Sequence, residues 1–168
     1  DINLLTTDIG NIKKPNIYFK KVDADTKNAL EGAEFKIQRN NDGKFVDIKE
    51  NGDVYTPSGT TPSDQWTATS GKNGTFAFEN IPMDGEYRIT ETKSPSGYIL
   101  FSQKEFKFEV KNGKIYYIDA NGLNISKTVL KDGKKIVLED GEEIKENTAN
   151  TPILITNKKA EYPSTGGP

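Results

Sequence analysis

The chain has 168 residues, of which 23 are basic and 25 acidic, for a net charge of −2. That near-neutral balance supplies no general pull toward nucleic acid or anionic lipid. It contains neither cysteine nor histidine, which excludes disulfides, thiol nucleophiles, Ser-His-Asp triads, the usual structural zinc sites and haem ligation by histidine.

Asp1–Pro15 has little periodicity and reads as a linker from a preceding domain, opening without an initiator methionine as an excised fragment would. No signal peptide and no run of about 18 apolar residues that could span a bilayer is seen. Ile17–Asp23 alternates as a strand, with Ile17, Phe19 and Lys21 on one face and Tyr18, Lys20 and Val22 on the other. Asp23 and Asp25 follow in a turn-like VDADT; no full calcium-loop spacing accompanies them, so no metal site is expected.

Gly52–Gly74 is rich in Ser, Thr, Gly and Pro and reads as a long exposed loop, with Trp66 capping the edge of the fold. Glu86–Thr92 puts Tyr87, Ile89 and Glu91 on one face. Asp140–Glu146 is a weak candidate for a short helix, and Glu139, Asp140, Glu142 and Glu143 read as a solvated turn. Near the end, Ile153, Ile155 and Asn157 share a face opposite Leu154 and Thr156, and Glu161–Pro168 is a polar tail. Asn-Gly and Asp-Gly pairs punctuate the chain at 42–43, 51–52, 73–74, 84–85, 112–113, 121–122, 132–133 and 140–141. These pairs supply the positive φ angles of tight hairpins, and their spacing between β-rich runs predicts an all-β sandwich or barrel.

Three strands thus carry a polar residue in line with large apolar ones. If those faces point inward, Lys21, Glu91 and Asn157 are buried together. Burial penalises an unpaired charge, lowering a lysine pKa and raising that of a glutamate. One outcome is a buried Lys21–Glu91 ion pair with Asn157 as a hydrogen-bond partner. The other is a neutral amine, which unlike an ammonium is a nucleophile. Lys20 is expected in solvent, as are Lys158 and Lys159 after the last strand. No cofactor site is recognisable: the only Gly-Gly, in the tail, precedes no helix.

The chain resembles the Cna B-type (SpaA-type) domain of Gram-positive pilins and surface adhesins. The similarity is carried by the lysine strand YFKKVDADTKNALEGAEFKI (Tyr18–Ile37), by a complete glutamate box and by the closing ILITN (Ile153–Asn157). The glutamate box comprises Tyr87, Ile89, Glu91, Thr92, Pro95, Gly97 and Tyr98. The resemblance covers residues 16–160 and implies an immunoglobulin-like β-sandwich with long loop insertions. It further implies an isopeptide bond between Lys21 and Asn157, promoted by Glu91, in a structural rather than enzymatic domain.

The tail residues Tyr162, Pro163, Ser164, Thr165 and Gly166 resemble a sortase sorting signal, with tyrosine in place of the usual leucine. That implies cleavage after Thr165 and covalent attachment at the cell surface. The expected partners are sortase and other pilin subunits or peptidoglycan, with a host matrix or cell-surface ligand as a further partner. The alternative function is a host ligand-binding adhesin module using the Gly52–Gly74 loop and Trp66.

Overall fold

The computed structural model describes residues 13–59, 62–100, 105–120, 130–131, 134–136 and 138–160. Its strands are β1 (Ile17–Asp23), β2 (Glu34–Asn41), β3 (Lys44–Asp47), β4 (Thr67–Thr69), β5 (Thr75–Phe78), β6 (Gly85–Lys93), β7 (Glu105–Lys111), β8 (Lys114–Asp119), β9 (Leu130–Lys131), β10 (Lys134–Lys135) and β11 (Ile153–Asn157). No helix occurs among the described residues.

The turn dipeptides set the hairpins. Asp42 and Gly43 (φ 58° and 89°) join β2 to β3, and Asn112 and Gly113 (φ 53° and 78°) join β7 to β8. Two successive positive φ angles match the right-handed twist of the strands they connect. The pairs at 121–122 and 132–133 lie outside the described residues.

The strands form an all-β sandwich. One sheet has the order β11-β1-β5, with β1 parallel to β11 and antiparallel to β5. The larger sheet has the order β3-β2-β6-β7-β8, with β4 also pairing β2, and β9 and β10 form a separate two-stranded ribbon. The inward faces bury Ile17, Phe19, Phe35, Ile37, Phe78, Tyr87, Ile89, Phe106, Ile153 and Ile155 completely. Phe76 stacks on Phe35 at 4.4 Å and on Phe19 at 5.2 Å, and Phe19 meets Phe106 edge-on at 5.3 Å. Aromatic pairs at these separations add to the burial that holds the sheets together.

Three expectations need correction. The segment 52–74 is not wholly an exposed loop: Val54 bridges back to Ile48, and β4 pairs with Glu34–Lys36 of β2. Its composition masks a three-residue Thr-Ala-Thr strand too short to show periodicity. Trp66, directly before β4, is buried edge-on against Phe78 at 5.4 Å, a core position rather than the expected cap on the fold's edge. Residues 140–146 form no helix; they cover the edge of β8 through Tyr117 N to Glu142 O (2.9 Å), Gly141 N to Tyr117 O (2.8 Å) and Ile144 N to Ile115 O (2.8 Å). An open strand edge carries unpaired amides, and this segment satisfies them.

The outward parity of Val22 also fails, because the 24–30 turn folds back over β1 with a Val22–Ala29 bridge and buries it. Asp23 and Asp25 belong to that turn: Asp23 Oδ1 accepts from the Asp25 and Thr26 amides at 2.8 and 2.9 Å.

Candidate functional site

The two sheets bring the three in-line polar residues to one place. Lys21 projects from β1 and Asn157 from β11, its parallel neighbour, where Asn157 pairs in register with Asp23. Glu91 projects from β6 on the opposing sheet. The relative exposures of Lys21, Glu91 and Asn157 are 0%, 2% and 1%, so water is excluded from all three.

Lys21 Nζ donates to Asn157 Oδ1 in a very short contact and lies 3.2 Å from Glu91 Oε2. Asn157 Nδ2 donates to both Glu91 oxygens at 3.3 Å. Glu91 therefore touches the amine nitrogen and the carboxamide nitrogen at once. The Phe35 ring lies 5.6 Å from Lys21 Nζ, an apolar face beside the amine. Burial pulls the Lys21 pKa down from 10.5 to about 8, against the opposing pull of the Glu91 carboxylate. A substantial fraction of free amine is then present at mildly alkaline pH, where an exposed lysine is almost wholly protonated.

Local features hold each member in position. Lys21 N donates to Gly74 O at 2.7 Å, and Lys21 O accepts from Leu30 N at 2.9 Å. Gly74 has φ +76°, and a Cβ there would sit 2.5 Å from the Lys21 carbonyl oxygen, so only glycine permits this approach. In β6 the register slips beside Glu91: Glu34 pairs with Lys93 but Phe35 with Glu91. Thr92 is the extra residue, and this bulge lets Glu91 face inward while Thr92 and Lys93 both face solvent. Asn147 extends the β1 ladder with its side chain, accepting from Tyr18 N at 2.8 Å and donating to Tyr18 O at 3.0 Å.

Gly74, the Thr92 bulge and Asn147 were missed by sequence reasoning. Only the Asn73-Gly74 dipeptide gave any signal, and it marked a turn rather than a contact with Lys21. Lys20 is half-buried and Lys158 and Lys159 are exposed; none joins the cluster. Tyr162, Pro163, Ser164, Thr165 and Gly166 lie outside the described residues. Among the described residues no group of acidic side chains is arranged to hold a metal ion.

Over residues 15–124 the sequence matches the family described as SpaA: Prealbumin-like fold domain. That span includes Lys21 and Glu91 and stops short of Asn157. No curated protein matches in a sequence comparison. Among solved structures, the pilus adhesin RrgA from Streptococcus pneumoniae aligns with a TM-score of 0.54 at 22% identity, covering 90% of this chain and 16% of that one. A streptococcal ancillary pilin aligns with a TM-score of 0.51 at 19% identity, covering 90% of this chain and 31% of that one. The likeness is one of fold, and the chain spans less than a third of either structure.

Proposed function

The chain belongs to the SpaA family of prealbumin-like fold domains, and from that premise we propose that it is a structural stalk domain of a Gram-positive pilus subunit or wall-anchored adhesin. In this reading it is stabilised by a self-formed isopeptide bond between Lys21 and Asn157, and it is not an enzyme acting on other molecules. The observation that carries the reading is the dry contact of an amine, a carboxamide and a carboxyl group that touches both nitrogens.

The chemistry follows from those contacts. Lys21 Nζ, as free amine, attacks Asn157 Cγ. Glu91 takes the proton that Nζ sheds and gives it to Nδ2. The Nζ–Cγ bond forms, the Cγ–Nδ2 bond breaks, one ammonia leaves, and Glu91 ends as it began. The fold holds the reactants together before reaction, which removes most of the entropic part of the barrier.

The load path explains what such a bond is for. Because β1 and β11 are parallel neighbours, tension applied at Asn16 and Ala160 runs up β1 to Lys21, across the bond and out through Asn157. The residues between them are bypassed. Pulled from those two ends, the wild-type domain is expected to show no unfolding extension, whereas Asn157→Ala extends by about 450 Å as its bypassed segment unravels. Equal extension of both proteins would refute the stalk reading.

The tail Tyr162–Gly166 is proposed as the sortase signal, with Thr165 as the acyl donor to another pilin subunit or to peptidoglycan at the cell surface. Thr165→Ala is expected to abolish transfer by a sortase in vitro; undiminished cleavage would remove this part. The host-ligand alternative loses Trp66 as a contact, since that side chain lies in the core.

A further inference from the structure

Tyr98 touches the chain segments that carry all three reacting groups. Its hydroxyl donates to Asp23 Oδ2 at 2.6 Å. Asp23 lies just past Lys21 on β1 and is the register partner of Asn157. The Asp23 carboxylate is itself fixed by the amides of Asp25 and Thr26, so the tyrosine binds to a rigid point.

The backbone around Tyr98 clamps the other two strands. Tyr98 bridges Lys159, Ile99 N donates to Lys158 O at 3.2 Å, and Ala160 N donates to Gly97 O at 2.8 Å, all directly beyond Asn157. On its other side the loop runs back into β6 and Glu91, braced by Ser94 Oγ donating to Tyr98 O at 2.9 Å and Tyr98 N donating to Pro95 O at 3.0 Å. The segment Ser94–Ile99 therefore ties the end of β6 to the residues just beyond Asn157, and Tyr98 Oη is its side-chain link to β1.

We propose that Tyr98 is a positioning residue for isopeptide formation, its hydrogen bond to Asp23 holding β1, β6 and β11 at the separation the reaction needs. This rests on the reading that the Lys21–Asn157 bond forms. The latch is set at neutral pH: the hydrogen bond from Tyr98 and the turn amides hold the Asp23 carboxyl down at about 2, and Asp23 pushes the Tyr98 hydroxyl up to about 12. Neither partner changes charge in the range where Lys21 titrates.

The test uses the full chain recovered in urea before reaction and diluted into buffer, with folding followed by the fluorescence of buried Trp66 and ammonia loss followed by intact mass. Tyr98→Phe is expected to fold and to react about tenfold more slowly or worse, since misplacement of about an ångström can cost a hundredfold. The pH midpoint of its rate should stay where the wild type has it, with only the plateau lowered. Asp23→Asn should show a similar slowing, and the double variant should be no slower than the slower single.

A wild-type rate in Tyr98→Phe overturns the proposal, as do single effects that multiply in the double variant. A midpoint shifted upward toward 10.5 also overturns it, because Tyr98 would then be sealing out water rather than positioning. If the wild type itself never loses ammonia, the bond reading fails and the positioning role falls with it, a result distinct from the others because it is seen without any substitution.

Discussion

Glu91→Gln is expected to slow the joining of Lys21 to Asn157 by about 10²–10⁴-fold, the usual worth of a placed general acid–base group, with the sandwich still folded. The substitution keeps the shape of the side chain. It removes the negative charge that raises the Lys21 pKa against burial, so Lys21 becomes a free amine more readily. If Glu91 merely held the lysine in place, the variant would react as fast as wild type or faster. Slowing therefore isolates proton transfer between Nζ and Nδ2 as the work of Glu91. Time-resolved intact mass of refolding protein at a fixed pH reads the ratio directly.

The second large effect is on stability. Asn157→Ala is expected to unfold in denaturant with a free energy about 5 kcal/mol smaller than that of the cross-linked wild type. Lys21 and Asn157 are 136 positions apart, and the chain-entropy account of a cross-link closing a loop of that length gives about this figure. The variant keeps the Lys21–Glu91 pair at 3.2 Å. Lys21→Ala should lose more, because it also leaves Glu91 buried without its cationic partner.

The sign of the pH dependence in Asn157→Ala follows from Lys21. Its folded pKa, lowered to about 8, lies below the unfolded value of 10.5, so between the two the unfolded chain binds more protons. Stability rises with pH from about 8 to about 10. Above about 10 the trend is opposed by Tyr87 and Tyr98, whose folded pKa values are raised to about 12. Urea midpoints across that range check the rise.

What could be read from the sequence was what depends on neighbouring residues. Strand parity placed Lys21, Glu91 and Asn157 among apolar partners, and the Asx-Gly pairs at 42–43 and 112–113 located two hairpins, because both signals have short range. The features that bring the three groups together were not legible in that way. The approach of Gly74 to Lys21, the Asn147 side chain paired with Tyr18 and the Tyr98–Asp23 hydrogen bond join residues from 53 to 129 positions apart or arise only once the sheets are packed. Tyr98 was visible as part of the glutamate box, but nothing local to it pointed to Asp23. Trp66 and β4 were obscured for the opposite reason: the Ser, Thr, Gly and Pro around them describe a loop, and the pairing with β2 that overrides this is tertiary.

The most direct measurement is the intact mass of the purified, folded domain beside those of Lys21→Ala, Glu91→Ala and Asn157→Ala. The account predicts a wild type lighter than its sequence by one ammonia and three variants at their full sequence masses. A wild type at full mass would mean that the buried amine, carboxyl and carboxamide form an ion pair with a hydrogen-bonded neighbour, and no covalent bond.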